Sequence, residues 1–319
     1  MKLLRLFIFI LAMPLLFQAC SSDDEETSSA NANANKNDIV RYPDAGRLEF
    51  PHLKKSNSVL IVHRDRGEVN YCVEWDYVLK SQRWSCYTLL SKHLSGKDPA
   101  TGRNVSRYYG FPQYPLDPDL PLNYYLDRPS EDYSVNDYFS GSGFDHGHIC
   151  PSADRLNTKE SNYQTFFLTN MQPQIKKFNG SDNNYTGMSL WLAMENKVRS
   201  WAPRNGTDTL YVCKGGTIDD VTLNGQTVSG VMTRIGGKLI VPKYFFAAVL
   251  LKNSIGYRAL AFWFEHSNKD IPANASLADY AISIDELEER TGIDFFCNLP
   301  DDVEAKAERS LAVNAWGLK

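Results

Sequence analysis

Short apolar runs separated by turn-forming residues dominate this chain beyond its first 40 residues. Runs rich in Val, Ile, Tyr, Phe and Trp between Gly, Pro, Asn or Ser are typical of β-strands. Two of them, 71–77 and 84–90, flank the polar residues 80–83 and predict a β-hairpin. Further strands are predicted at 58–62, 165–169, 209–213, 238–241, 244–252 and 257–265. The pattern contains no internal repeat.

Two segments have helical periodicity instead. Apolar residues recur every three to four positions across 190–201, which predicts an amphipathic helix. A second helix is predicted over 283–291, with Ser283 as N-cap, Glu286 completing a capping box and Gly292 ending it. Strands and helices are segregated rather than alternating, so the predicted fold class is α+β.

The N-terminal residues predict export. A short basic region precedes an apolar run at 6–17, which is too short for a comfortable membrane span but suits a secretory signal. The run ends at Ala19-Cys20, which resembles the lipobox of bacterial lipoproteins. We therefore expect residues 1–19 to be a lipoprotein signal peptide and Cys20 to carry lipid. An ordinary secretory signal with a chance cysteine is the alternative.

A polar, low-complexity stretch follows this cysteine. Residues 20–38 begin with an acidic run and continue with Ser, Ala and Asn, a composition that predicts a flexible linker. One domain is then expected over 39–319. The acidic run resembles surface-export signals of some lipoproteins, so the expected location is the outer membrane with cell-surface exposure. A periplasmic or secreted protein is the alternative.

Composition excludes several classes of protein. The 319 residues are 43% hydrophobic and 23% charged, close to soluble globular averages. A mostly disordered chain, a collagen-like repeat and a polytopic membrane protein are therefore excluded. The net charge of −4 argues against a globally basic nucleic-acid binder, although a local basic groove is compatible with it.

Chemistry-bearing residues concentrate in the segment 141–155, which contains Asp145, His146, His148 and Asp154. One interpretation is a zinc site, because His-x-His on a strand places both rings on one face. Zinc needs further ligands, for which Cys150 and His93 are the candidates. No C-x-x-C spacing supports it, and the pairing of the five cysteines after Cys20 stays open.

Two other interpretations compete with zinc. The segment could be a polar turn whose histidines satisfy backbone groups. Alternatively, a histidine could be the general base of phosphodiester hydrolysis beside a hard metal ion, because imidazole titrates near neutrality and Mg²⁺ offsets developing charge. The amides of 169–179 and the predicted helix with Glu195 supply oxygen ligands downstream. The density of the cluster favours this last interpretation.

Three ordered motifs carry a family resemblance. Asp145-His146-Gly147-His148 resembles the Asp-Arg-Gly-His motif of DNA/RNA non-specific endonucleases, which are ββα-metal (His-Me finger) enzymes. The resemblance continues through Thr169-Asn170-x-x-Pro173-Gln174-x-x-x-Phe178-Asn179 and Trp191-x-x-x-Glu195. It covers about residues 58–300. It implies an α+β fold with a central antiparallel sheet, flanking helices and a ββα-metal element.

The resemblance also implies roles for individual residues. His148 corresponds to the general base that activates water, and Asn179 to the direct protein ligand of Mg²⁺, for which Mn²⁺ can substitute. Glu195 corresponds to a residue that reaches the metal through a water molecule. Asn170 is expected to support the histidine or the substrate, and Asp145 to orient the motif strand.

Departures from the family pattern affect phosphate binding. His146 stands where the family commonly has Arg, and its imidazole grips phosphate less firmly than a guanidinium. Arg107 is our candidate for the upstream arginine that contacts phosphate. A lysine often found after a later aromatic pair is replaced by Ala247.

The predicted function is Mg²⁺-dependent, non-specific endonuclease hydrolysis of DNA and RNA. Residues 141–215 contain eight basic and six acidic residues. This excess is compatible with a modest phosphate-facing patch or with ordinary solvated charge. The alternative function is a non-catalytic surface lipoprotein that binds nucleic acid or another polyanion.

Overall fold

The computed structural model describes residues 33–54, 56–124, 138–272 and 274–318. All described residues belong to one compact unit, Ala32–Lys319. The signal segment and Cys20 therefore lie outside the described residues. Across the described ranges, no helix combines the length and apolar character needed to span a membrane.

A seven-stranded antiparallel sheet forms the centre, with the strand order β1-β2-β3-β6-β11-β12-β13. Three two-stranded sheets accompany it, made by β4 with β5, β7 with β8, and β9 with β10. In the described residues the strands are, in chain order, β1 Ser58–Asp65, β2 Glu68–Asp76, β3 Ser81–Leu89, β4 Phe144–His148, β5 Met171–Ile175, β6 Thr209–Gly216, β7 Val221–Leu223, β8 Gln226–Val228, β9 Val231–Ile235, β10 Leu239–Pro242, β11 Tyr244–Asn253, β12 Gly256–Glu265 and β13 Ala281–Ile282.

Local turn chemistry fixes the register of the first hairpin. Arg66 and Gly67 connect β1 to β2 with φ of 51° and 84°, so both lie in the left-handed region. Two left-handed residues are the signature of a type I′ turn, whose twist matches that of antiparallel strands. Strand β2 then pairs with β3, and this second hairpin is the one that the apolar pattern predicts.

Helices cover both faces of the sheet. The α-helices of the described residues are α1 Lys159–Gln164, α2 Lys176–Asn179, α3 Leu190–Ser200, α4 Ile284–Thr291 and α5 Asp301–Glu308. Side chains alternate along β11, so Phe245 packs in the core beneath α3 while Phe246 packs in the core beneath α4. The small β4–β5 sheet leads into α2 on the α3 face. The fold is thus α+β with a large antiparallel sheet, as predicted.

Most sequence-predicted elements are found, and one is wrong. The predicted helices correspond to α3 and α4, and the Ser283 hydroxyl accepts a hydrogen bond from the Glu286 N–H at 3.1 Å. Residues 165–169 are not a strand. They form a buried turn that leads into a 3₁₀ helix at Leu168–Asn170, and the strand follows at Met171–Ile175. A short apolar run does not by itself distinguish a strand from another buried segment.

The compact unit begins earlier than composition indicated. Asn37 is 3% exposed, and its side-chain amide donates to the carbonyls of Ala45 and Pro51. The Asn33 amide donates to the Leu299 carbonyl at 2.7 Å. Residues 33–38 therefore pack on the domain, whereas the linker was expected to extend to residue 38. Amide side chains make such contacts without any apolar pattern.

All five cysteines after Cys20 are buried free thiols. Cys86 on β3 lies directly opposite Cys72 on β2 and Cys213 on β6. Burial raises the pKa of the Cys86 thiol well above its usual range, which keeps it protonated. These side chains act as small core residues.

Candidate active site

A cavity of about 420 Å³ opens where β4, α2 and α3 meet. Apart from Asn170, every site residue that the sequence predicts within the domain lines this cavity. The cavity is lined by Arg107, Tyr114, Phe144, Asp145, His146, His148, Pro151, Ser152, Ala153, Asn179, Gly180, Ser181, Leu192, Glu195 and Arg199.

His146 and His148 both reach the cavity because side chains on β4 alternate between faces. Gly147 between them lies against Gln174 of the paired strand β5. A Cβ at this glycine would come within 2.3 Å of the buried Gln174 side chain. Glycine at this position therefore lets β4 approach β5 closely while the two histidines face the cavity.

His148 is a buried imidazole held in its neutral form. It is 9% exposed, and its ring packs edge-on to Phe166 at 4.8 Å between centroids. Burial lowers the pKa of His148 well below its usual range, and the electrostatic effects of Arg107 and His146 lower it further. The ring makes a hydrogen bond to the His146 backbone, whereas Nε2 has no partner among the described residues. Nε2 is therefore the nitrogen that can accept a proton.

Asp145 orients the side chain of Asn179. The Asn179 amide nitrogen donates to the Asp145 carboxylate at 3.0 Å, and the Ser181 hydroxyl donates to the same oxygen. A carboxylate only accepts, so it fixes which end of the amide faces it. The Asn179 carbonyl oxygen is left without a hydrogen-bond donor among the described residues. Such an oxygen is a suitable ligand for a hard cation.

Glu195 on α3 lies in a network of paired charges. Its carboxylate accepts from the Lys214 ammonium at 3.0 Å and lies 3.8 Å from the Arg199 guanidinium. Arg199 also donates to Asp154, whose other oxygen accepts from the Tyr87 hydroxyl. Burial raises the pKa of Glu195, and the two cations oppose that rise. The network fixes the carboxylate at the cavity wall.

Lys214 is a buried cation that the sequence did not single out for this role. It is 1% exposed, and its ammonium lies 4.8 Å from the centre of the Trp191 ring. It stands opposite Ala247 across the β6–β11 ladder. Lys214 on the neighbouring strand is therefore adjacent to Ala247, the position where the family often has lysine.

Arg107 reaches the cavity from the irregular segment before β4. Its guanidinium donates to the Ser152 hydroxyl and lies 4.8 Å from the centre of the Phe166 ring. Phe166 also contacts His148, so Arg107 and the imidazole share one aromatic support. This places a permanent positive charge beside the histidine.

His146 is stacked between two aromatic rings. Its centroid lies 3.6 Å from that of Tyr114, with 4° between the planes, and 4.1 Å from that of Phe139. Stacking on both faces fixes the plane of the ring. Position 146, where the family commonly has a flexible Arg, is thus occupied by an imidazole whose plane is fixed.

Asn170 lies away from the cavity. It is fully buried, its carbonyl oxygen accepts from the Cys150 N–H at 2.9 Å, and its amide donates to the carbonyls of Cys150 and Thr165. Asn170 therefore holds the backbone two residues after His148 and makes no hydrogen bond to the imidazole. Its support for the histidine is indirect.

The geometry does not favour a zinc site at the motif. Cys150 lies in the apolar core, and His93 accepts from the Leu90 N–H in a separate cavity. Among the described residues, the groups close enough to share a metal ion include neither His146 nor His148.

One of those groups joins His63 to Asp117 and Asp119. The His63 Nε2 lies 3.1 Å from Asp117 and its Nδ1 lies 3.5 Å from Asp119. Because each ring nitrogen already faces a carboxylate, this is the arrangement of an imidazolium that bridges two acids. A metal ion would have to displace one of them.

Several lining residues were not predicted from the sequence. Tyr114 and Ser181 have no motif of their own, and only the fold brings them to the cavity, whereas Ser152 lies in Pro151-Ser-Ala-Asp154, a segment that also resembles the family. Arg199 had a detectable signal, because it follows Glu195 by four residues on a predicted helix.

The local basic excess is largely structural. Arg155 is buried and donates to the backbone carbonyls of Asn70 and Thr88. Lys177 pairs with Asp270, and Lys197 donates to the Gly317 carbonyl. Of the eight basic residues counted, only Arg199 lines the cavity.

An antiparallel sheet with a histidine and an asparagine presented by a strand–strand–helix element defines a class of nuclease. The chain belongs to the DNA/RNA non-specific endonuclease family, whose model matches residues 57–302. This family consists of metal-dependent hydrolases that act on nucleic acids.

Individual relatives agree with this assignment. The chain is 32% identical over 179 residues to a protein named Nuclease from Nostoc sp. strain PCC 7120, covering 53% of this chain and 57% of the relative. It is 28% identical to Nuclease C1 of Cunninghamella echinulata, covering 65% and 75%. It is 25% identical to the mitochondrial nuclease EXOG of Mus musculus, covering 85% and 70%. The chain thus spans little more than half of the cyanobacterial relative.

A solved structure supports the fold. The chain resembles one in the crystal structure of the EndoG/EndoGI complex, with a TM-score of 0.53 and 16% identity. The match covers 74% of this chain and 86% of that one.

Proposed function

We propose that this protein is a Mg²⁺-dependent endonuclease that hydrolyses phosphodiester bonds of DNA and RNA with little base specificity. One observation carries the proposal: the unpartnered Nε2 of His148 and the oriented amide of Asn179 share a single cavity. The first is a proton acceptor and the second a ligand for a hard cation. Family membership gives the substrate class.

His148 acts as the general base. Its lowered pKa keeps the imidazole unprotonated at neutral pH, so Nε2 is ready to take a proton from the attacking water. Phe166 and the bond to the His146 backbone hold the ring in place.

Asn179 and Glu195 are the residues that would hold the ion. The Asn179 carbonyl oxygen would bind the ion directly, and Glu195 would hold one of the ion's water molecules. When bound, Mg²⁺ supplies positive charge that offsets the charge developing on the phosphate. Asp145 contributes by keeping the Asn179 amide turned the right way.

Arg107 and Arg199 bind the phosphate backbone from the cavity walls. Guanidinium groups match phosphate geometry and keep their charge at all relevant pH values. Contacts to phosphate carry no sequence information, which accounts for broad specificity. His146, held between Tyr114 and Phe139, lines the same cavity.

A gel assay of plasmid DNA and of RNA, with and without Mg²⁺, tests the proposal. We expect cleavage of both with Mg²⁺ or Mn²⁺, loss of cleavage with EDTA and no restoration by Zn²⁺ alone. Retention of the nucleic acid without cleavage in any metal would instead support the non-catalytic polyanion-binding alternative.

We further propose that the protein is exported and anchored to the outer membrane by lipid on Cys20. Support comes from the apolar run that ends at Ala19-Cys20. Bacterial lipoproteins carry more than one acyl chain, which is enough for stable attachment. Labelling with a fatty-acid probe should mark the wild type but not Cys20→Ser, and both should cleave DNA. An unlabelled, soluble wild type would identify a plain secreted or periplasmic enzyme.

A further inference from the structure

Helices α4 and α5 bring three carboxylates together on the sheet face opposite the active-site cavity. Asp285 and Glu288 are three residues apart on α4 and so share one face of that helix. Glu308 is the last residue of α5. One oxygen from each of the three carboxylates lies within 4.8 Å of the others.

Glu308 is the unusual member of this cluster. It is 6% exposed, its Oε1 is fully buried, and this oxygen has no hydrogen-bond partner among the described residues. One oxygen of this carboxylate lies within 4.8 Å of an oxygen of each of the other two acids. A buried carboxylate without a partner is strongly unfavourable, so this group either carries a proton or binds a cation.

No basic side chain compensates the cluster within the described part of the chain. The nearest pairing on α4 uses Glu286, which meets Arg290 at 2.5 Å. Glu304 and Asp294 add further negative charge nearby, and the amide of Asn35 donates to both.

The helix geometry makes the position of Glu308 still less favourable. A carboxylate at the C-terminal end of a helix meets the negative end of the helix dipole. Burial, like charges and the dipole therefore all oppose a free anion here. A bound cation offsets all three at once.

We propose that Asp285, Glu288 and Glu308 form a Ca²⁺-binding site that joins α4 to α5. Two oxygens on opposite sides of one Ca²⁺ lie about 5 Å apart, so a single ion reaches all three carboxylates. Ca²⁺ accepts several carboxylates in flexible geometry, whereas Mg²⁺ demands a smaller octahedron and keeps more waters. The site is separate from the Mg²⁺ position proposed at Asn179.

Calorimetric titration with CaCl₂ tests the site, using purified protein that carries Asn179→Ala so that the cavity contributes no binding. Into this background we place either Glu308→Gln or the matched control Glu289→Gln. Glu289 is an exposed residue of α4 outside the cluster, and its substitution removes the same charge. We expect one Ca²⁺ per chain in the control and none with Glu308→Gln.

Thermal unfolding provides the second measurement. At a Ca²⁺ concentration about 100-fold above Kd, the control should gain about 5 °C in Tm. Glu308→Gln should gain nothing. Because Asp285 is exposed, Asp285→Asn should fold in any case, and we expect it to weaken Ca²⁺ binding at least about tenfold.

Three outcomes would overturn the proposal. They are the absence of Ca²⁺ binding in the control, equal Ca²⁺ binding by Glu308→Gln and its control, and equal stabilisation by Mg²⁺. Nuclease activity is not a readout here, so a failure leaves the proposed function untouched.

Discussion

His148 and His63 are both buried imidazoles, yet their surroundings give them opposite properties. His148 is 9% exposed beside Arg107 and His146, and its pKa is well below the usual range. His63 is 1% exposed. Burial lowers its pKa too, but Asp117 and Asp119 outweigh that effect and raise it to about 9. Burial alone therefore does not decide the charge of a histidine; the sign of its neighbours does.

The two histidines consequently suit different tasks. His148 is neutral with an unpartnered Nε2, as a proton acceptor must be. His63 is a fixed cation that ties β1 to the segment bearing Asp117, which is further held by the Thr169 hydroxyl. That segment also carries Tyr114 to the cavity wall. One histidine is expected to govern chemistry and the other stability.

The sharpest test of this contrast is His148→Ala. Removing the base should lower the cleavage rate by about 10²–10⁴-fold. Because no described side chain depends on Nε2, the melting temperature should stay close to that of the wild type. Cleavage kinetics on plasmid DNA and a thermal melt measure both quantities. Cleavage near the wild-type rate would contradict the assignment of the base.

His63→Ala should have the reverse profile. Removing one member of a buried charged group leaves Asp117 uncompensated, which costs about 3–5 kcal/mol of unfolding free energy. Urea denaturation at pH 7 measures the loss. In the fraction that remains folded, Mg²⁺-dependent cleavage should persist. An unchanged unfolding midpoint would show that the His63 bridge contributes nothing.

The pH dependence of stability follows from the same bridge. The folded-state pKa of His63 is about 9, above its ordinary value of 6.5. Its stabilising contribution is complete below pH 6.5 and is lost as pH rises through 9, by roughly 3 kcal/mol in all. Denaturation curves from pH 6 to 10 should show this fall in the wild type. A fall of the same size in His63→Ala would assign it to another group.

Asp145→Ala should lower the affinity for Mg²⁺, although Asp145 is not itself one of the proposed metal ligands. The Asn179 amide would lose the carboxylate that orients it, and such losses typically reduce metal affinity or activity by about 10–100-fold. Activity measured against Mg²⁺ concentration should therefore shift to higher Mg²⁺ and recover partly at saturation. A Mg²⁺ requirement identical to that of the wild type would argue against this orienting role.

The smallest expected effect is that of His146→Arg. An arginine between Tyr114 and Phe139 would add a permanent charge toward phosphate. We expect a KM lower by a few-fold and a salt dependence steeper by about one unit in slope. A KM titration at several salt concentrations checks this. An unchanged slope would mean that position 146 does not contact the backbone of the substrate.

Motifs within the sequence located much of the cavity. The spacing of Asp145, His148, Asn179 and Glu195 follows a family pattern, and local periodicity predicted the helix that carries Glu195. The fold class followed from strand and helix segregation. These features depend on short stretches of chain, which sequence patterns describe well.

Contacts between distant segments could not be predicted in this way. Lys214 reaches Glu195 only because the sheet folds beneath α3, and His63 meets Asp117 from 54 positions away in the chain. Neither contact has a local spacing signal. The Asn-rich residues 33–38 were expected to be linker because amides carry no hydrophobic pattern, although their hydrogen bonds dock them on the domain.

The docked N-terminal segment, residues 33–38, lies on one of the two layers of the domain. Asn37 is fixed against Pro51 and near Cys297, in the layer that contains Phe50 and α4. The active-site cavity lies in the other layer, beyond the central sheet. Residues 33–38 therefore dock on the opposite layer from the cavity and do not line it, so they leave the cavity open to a long polymer.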